Sequence, residues 1–192
     1  IVTSDAMTAF LDSVPESTLV VIDEAYHDFV TDARYATAVP EALRRPNVLV
    51  LRTFSKIFAL AAHRVGYAVG QPGTIRELRK AQPPFTVAQV AQVAAAASLR
   101  KLGELERRAT ANSAARHQLL GVLAERSLAH TKSEANFVYF ALGIPAEEAA
   151  ELFTKRGVIV RPMSGDWLRV TIGADHENKR FVEALDSILS AI

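Results

Sequence analysis

The sequence predicts an α/β fold: a mainly parallel sheet between helices, followed by connecting helices and a small α+β unit. Two short apolar runs without alternation, residues 18–22 (TLVVI) and 48–52 (VLVLR), read as strands buried on both faces. Residues 86–126 carry an alanine-rich and then a charged helical pattern, with no strand signal. After Ser127 short strands return around an amphipathic helix. These shifts divide the chain into 1–85, 86–126 and 127–192, a large-domain part, a connector and a small C-terminal domain.

The elements follow in order. Residues 5–13 form a short helix with Ser4 as N-cap, stopped before Pro15. The strand at 18–22 ends abruptly at Asp23-Glu24, and residues 31–47, with Pro40 and Pro46, read as a loop enclosing a helical turn. The strand at 48–52 breaks into Thr53-Phe54-Ser55-Lys56, and 65–69 (VGYAV) supply a third strand. A helix over 74–81 stops at Pro83-Pro84. Thr86 and Gln89 then have the spacing of a capping box ahead of the alanine-rich helix. Residues 104–126 form a long helix. Residues 136–140 (NFVYF) form a strand, and 145–156 a helix with Gly157 as its stop. Strands at 158–161 and 168–172 flank a hairpin turn, Met163-Ser164-Gly165-Asp166. Phe181, Leu185, Ile188 and Ile192 line one face of a final helix.

Composition narrows the function. Apolar residues are 49% and charged residues 22% of 192, a globular balance. With 22 Lys and Arg against 21 Asp and Glu, the net charge of +1 makes no field that would gather nucleic acid or an anionic membrane. No run approaches the length of a membrane span. The absence of cysteine excludes disulfides and thiolate chemistry within the chain and fits a cytoplasmic setting. The five histidines, at 27, 63, 117, 130 and 176, lack ligand spacing, so no metal site is expected.

Chemistry concentrates at the ends of the first two strands. Asp23 lies where open α/β sheets place ligands, and serves equally well as a cap for the next turn. Asp23-Glu24 also suits a magnesium site of a nucleotide hydrolase, but the partner phosphate loop is missing from the sequence. Lys56 sits among Phe54, Ile57 and Phe58, which admits either a surface lysine with a covered stem or an amine activated by apolar surroundings for Schiff-base chemistry. Thr53, Ser55 and Arg64 suit a phosphate, two hydroxyls and a guanidinium fork, or a structural ion-pair site. Taken together, a strand-end acid, a hydroxyl-hydroxyl-lysine turn and a nearby arginine match a pyridoxal phosphate site. The arginine-rich stretch 104–108 reads as a solvated helix face.

The stretches VVIDEAYHDF, LRTFSKIFALAAHRVGYAVG, SEANFVYF and LRVTIG resemble fold-type I aminotransferases of class I/II, in the branch of histidinol-phosphate and aromatic amino acid aminotransferases. The resemblance covers essentially the whole chain in order. It implies pyridoxal 5'-phosphate as cofactor, a Schiff base on Lys56, Asp23 at the pyridine nitrogen, Tyr26 at the phenolic oxygen, and Ser55, Arg64 and Thr53 at the phosphate. It also implies that Arg169 grips the substrate α-carboxylate, with Asn136 close by. Arg161 reads as a second anion-binding arginine or as an exposed strand-end residue. The family pattern often has glycine at the positions of Ala59 and Ala62 and an apolar residue at that of His63. The chain opens on Ile-Val-Thr-Ser and corresponds to the C-terminal half of a family member, so it is expected to be inactive alone and to belong to a homodimer. The segment VRPMSGDWLRVTIG looks more like the aromatic branch; transamination between an aromatic amino acid and a 2-oxo acid is the leading expectation, and histidinol phosphate the alternative donor.

Overall fold

A computed structural model describes residues 1–191. The chain divides into two compact units, Ile1–Ala109 and Thr110–Ile192. Its mixed helices and small sheets have the make-up expected of the fold-type I class.

In the first unit, strands β1 (Val20–Asp23), β2 (Val48–Thr53) and β3 (Gly66–Gly70) form one sheet in the order β1-β2-β3. β1 and β2 are parallel, with Asp23 opposite Leu51. Helix α2 (Val39–Arg44) lies on the crossover between them, as a parallel pair requires. β3 runs antiparallel to β2, with Gly66 opposite Thr53. The segment between β2 and β3 contains no crossover helix, only turns and a 3-10 turn at Ala61–His63, so the chain returns alongside the strand it left. Val48, Leu49 and Val50 of β2 are buried, and Val48 and Val50 join Leu11 of α1 (Ser4–Ser13) and Ala42 of α2 in one apolar cluster.

Two capping expectations change. The N-cap of α1 is Thr3, whose Oγ1 accepts Ala6 N–H, because Ser4 already has helical geometry. The box expected at Thr86 does not form. Thr86 Oγ1 instead accepts Gln82 Nε2 (2.7 Å), and helix α4 (Gln89–Ser98) starts after Ala88. Phe85, at φ 59°, turns the chain just before Thr86, and the helix starts two residues later than a Thr86 cap requires. Helix α3 spans Pro72–Ala81 and α5 spans Leu102–Glu125.

The second unit holds an antiparallel sheet of β4 (Phe137–Ala141), β5 (Arg161–Pro162) and β6 (Trp167–Thr171), with β6 in the centre. β5 is only two residues long, so most of 158–161 is not strand. Period-2 alternation sends Val138, Phe140, Leu168 and Val170 inward, where they meet α6 (Ala146–Lys155) and α7 (Asp175–Leu189). Phe153 and Phe181 stack at 5.3 Å, and Phe140 meets both edge-on. Gly157 ends α6 at φ 72°, a conformation that glycine adopts without strain. Phe181, Leu185 and Ile188 all face this core; Ile192 lies outside the described residues. No helix among the described residues is long and apolar enough to cross a membrane.

Phe140 is fully buried at the centre of the aromatic cluster. Phe140→Ala is expected to cost about 3–5 kcal/mol, read by urea unfolding followed through signals of the second unit.

Candidate active site

The topology explains why residues distant in sequence share one sheet edge. β1 and β2 are parallel, so their carboxyl ends, carrying Asp23 and Thr53, point the same way. β3 is antiparallel to β2, so its amino end lies at that same edge, and Arg64 stands two residues before it. Asp23, Tyr26, Thr53, Ser55, Lys56 and Arg64 are therefore all at the carboxyl edge of β1 and β2, the side on which open α/β sheets hold ligands.

Local bonds orient each group. Asp23 Oδ1 accepts Ala25 N–H (3.0 Å), so the carboxylate caps the turn that leads to Tyr26 while Oδ2 stays available. The cap and ligand readings of Asp23 are compatible, because they use different oxygens. Thr53 Oγ1 accepts Ser55 N–H (3.0 Å) and shapes the lysine turn. Lys56 Nζ makes no hydrogen bond or ion pair among the described residues and lies 5.1 Å from the centre of the Tyr26 ring. The stem side of the loop is apolar: Phe54, Ile57 and Phe58 are buried with Phe29 and Ala95, and Tyr26 packs against them.

The rest of the loop is held by backbone geometry. Ala59 has φ 59°, a left-handed conformation that costs an alanine about 1–2 kcal/mol and that glycine adopts freely. That accounts for glycine at this position in the family pattern. Ala62 and His63 lie in the 3-10 turn, where no left-handed residue is needed. Arg64 is left-handed too (φ 51°), and its Nη1 donates to Ala61 O (2.7 Å). A Cβ on Gly66 would lie 2.7 Å from the Arg52 carbonyl oxygen, so only glycine lets β3 close against the end of β2.

A network behind this edge escaped the sequence reading. Glu24 is buried, and its carboxylate accepts Arg52 Nε (2.9 Å), Ala38 N–H (2.6 Å) and Thr37 Oγ1 (2.8 Å). Arg52 Nη2 pairs with the same carboxylate (2.8 Å) and donates to Thr37 Oγ1. Glu24 is thus committed to Arg52, which removes it as the second carboxylate of a magnesium pair with Asp23. The available signal was register: continuing the parallel pairing one step past Asp23 and Leu51 brings Glu24 level with Arg52. Beside this network His27 Nδ1 and Tyr35 Oη lie 3.0 Å apart. Burial, reinforced by the Glu24 charge, pushes the Tyr35 hydroxyl up to about 12. Burial first and the Arg52 charge second hold the His27 imidazolium below its usual 6.5, against the opposite pull of Glu24 and Asp28.

In the second unit, Arg169 on β6 is directly opposite Tyr139 on β4 and Arg161 on β5. All three side chains share the sheet face away from the core. The Arg169 guanidinium lies 4.9 Å from the Phe137 ring centre, and Tyr139 stacks on Trp167 at 4.8 Å. Neither Arg161 nor Arg169 has a carboxylate partner among the described residues. Asn136 precedes β4, and its carbonyl accepts Ile172 N–H (2.8 Å).

With this geometry in hand, comparison with known proteins is specific. The family described as aminotransferase class I and II matches residues 1–188. The chain belongs to that family. It is 45% identical to an aromatic amino acid aminotransferase of Nocardia farcinica over 179 residues, 92% of this chain and 50% of the relative. It is 39% identical to a histidinol-phosphate aminotransferase of Nitrosococcus oceani over 190 residues, 97% of this chain and 51% of the relative. The crystal structure of histidinol-phosphate aminotransferase from Sinorhizobium meliloti in complex with pyridoxal-5'-phosphate superposes with a TM-score of 0.88 at 27% identity, covering 98% of this chain and 53% of that one. The chain spans about half the length of the curated relatives it matches.

Removing one partner of a buried ion pair strands the other, so Glu24→Ala is expected to lose about 3–5 kcal/mol of unfolding free energy. His27 binds its proton less readily folded than unfolded, so its contribution is complete above about pH 6.5 and declines as pH falls below that value. His27→Gln should flatten the stability profile below about pH 6.5, measured by chemical unfolding at fixed pH steps.

Proposed function

We propose that the protein carrying this chain is a pyridoxal-phosphate-dependent aminotransferase whose cofactor is held at the β1–β2 edge. The observation that carries this reading is Lys56: a partly buried residue whose amine has no hydrogen bond or ion pair among the described residues, beside Tyr26, on the strand edge that also bears Asp23. The donor set fits the group. A guanidinium and a hydroxyl, Arg64 and Ser55, suit a phosphate, with Thr53 as a further hydroxyl; an amine suits an aldehyde; and a carboxylate with a spare oxygen, Asp23, suits a protonated ring nitrogen.

When bound, the cofactor supplies an electron sink for the charge left by loss of the substrate α-proton. The chain's own residues do the rest. Lys56 Nζ would hold the cofactor aldehyde and would take up and return the substrate proton. Asp23 would keep a protonated ring nitrogen charged, and Tyr26, beside the Lys56 amine, would donate its hydroxyl to the cofactor's phenolic oxygen. Arg169, in the middle of β6, would receive the substrate carboxylate through its two-pronged donor face, and Asn136 precedes the β4 strand paired with it. Two half-reactions on one site imply ping-pong kinetics. A homodimer belongs to the same reading, on the strength of family membership.

For the donor, an aromatic amino acid is the first reading, supported by the aromatic surroundings of Arg169 (Phe137, Tyr139 and Trp167) and by the similarity to an aromatic aminotransferase. Histidinol phosphate is the second reading, and one observation favours it. Arg161 and Arg169 face each other across adjacent strands without a carboxylate between them, a repulsive pair that a multiply charged anion would relieve.

Borohydride reduction of the cofactor-loaded protein followed by digestion should label Lys56; label elsewhere, or none, overturns the assignment. Arg169→Ala should raise the KM for amino donors about a hundredfold, the loss of one charge-assisted bidentate contact. Arg161→Gln distinguishes the two donors: it should leave phenylalanine turnover nearly unchanged, and a selective loss of about tenfold or more with histidinol phosphate would establish the second reading.

A further inference from the structure

The arginine-rich start of α5 is more than a solvated face. Arg107 is exposed and, among the described residues, pairs only with Glu104, as expected of a solvated face. Arg108 instead turns toward the lysine loop: its Nη1 donates to the carbonyl of Ile57 at 2.8 Å, across 51 positions of sequence. Its Nε is held by Glu104 Oε1, also at 2.8 Å. Arg107 first, and Arg108 second, bring the Glu104 carboxyl down to about 2, so the clamp stays charged at any working pH.

We infer that Arg108 is a positioning residue for Lys56, an inference that rests on Lys56 being the amine that carries the cofactor. Lys56 O accepts Ala59 N–H (2.9 Å) and Ile57 O accepts Arg108, so two successive carbonyls beginning at the lysine are tied down. The other hydrogen bonds of the loop are short-range, such as Leu60 N–H to Phe54 O and Phe54 N–H to Val65 O, and do not anchor it to a helix. Such a hold is needed because Ala59 is left-handed, a conformation that favours opening of the turn. Ile57 is buried in the cluster against which Leu105 and Ala109 of the same helix pack, so the arginine contact and the apolar cluster hold the loop to that helix. A guanidinium donating to a carbonyl beside an apolar cluster makes a directional bond that apolar packing cannot supply.

The test uses readouts of the loop as well as the loaded enzyme. In Arg108→Met, amide hydrogen exchange at Ala59 and Leu60 should accelerate about tenfold while amides of β2 keep their protection. Acylation of Lys56, measured by mass spectrometry against Lys132 as reference, should rise, and affinity for pyridoxal phosphate should fall about tenfold. Arg108→Lys, which keeps a donor, should recover part of each change. Glu104→Gln, which keeps Arg108 but weakens its clamp, should move all three in the same direction by less. Unchanged exchange and acylation in Arg108→Met, or an equal acceleration throughout β2, overturns the inference. Borohydride label absent from Lys56 in the unsubstituted protein would sink the proposed function instead, while exchange at Ala59 and Leu60 would still judge the role of Arg108.

Discussion

The ion pair between Glu24 and Arg52 is the constraint on which the candidate site depends. It joins the residue just past the end of β1 to the penultimate residue of β2, and the Glu24 carboxylate also holds Thr37 and Ala38 of the crossover. Parallel pairing aligns the two strand ends but leaves the turns beyond them free to diverge. The buried carboxylate removes that freedom, since three kinds of donor converge on it and none can leave without stranding a charge. Asp23 on one side and Thr53 on the other are the immediate chain neighbours of this pair. A salt bridge one residue away is how a strand end becomes a platform for Lys56, Tyr26 and the groups proposed to hold a phosphate.

The two units solve the same problem in different ways. In the first, β2 is buried over Val48–Val50 as expected, whereas β1 exposes Val21 and so is not buried on both faces, and the candidate polar groups stand at the strand ends, along one edge. In the second, one face of the antiparallel sheet is core and the other bears Arg161, Arg169, Tyr139, Phe137 and Trp167, so chemistry is spread over a face. Both arrangements follow from where the sheet must be dry.

Strain accompanies function in the lysine loop. Ala59 and Arg64 are both left-handed, and Gly66 is needed where β3 meets the Arg52 carbonyl. These features bend the chain back on itself within a few residues, which brings Arg64 to the edge that Lys56 occupies. The contacts that resist unbending are the apolar cluster of Phe54, Ile57 and Phe58 and the Arg108 bond.

By itself the sequence determined the class of fold and the order of nearly all the elements, and it singled out the candidate site residues, because apolar periodicity and turn chemistry are local properties. Asp23, Lys56 and Arg64 could be named for that reason. Only the tertiary structure decided which neighbours they have. The cap at Thr86 was lost because the backbone turns at Phe85, a choice set by packing and not by the Thr-x-x-Gln spacing. Glu24 became structural because parallel register puts Arg52 beside it, and pairing between strands leaves no periodic mark in either strand alone. Arg161 and Arg169 came to face each other through the short β5, which propensity alone extends in the wrong place. Arg108, read along its helix as a solvated charge, reaches a carbonyl 51 residues earlier, and nothing local to either position encodes that meeting.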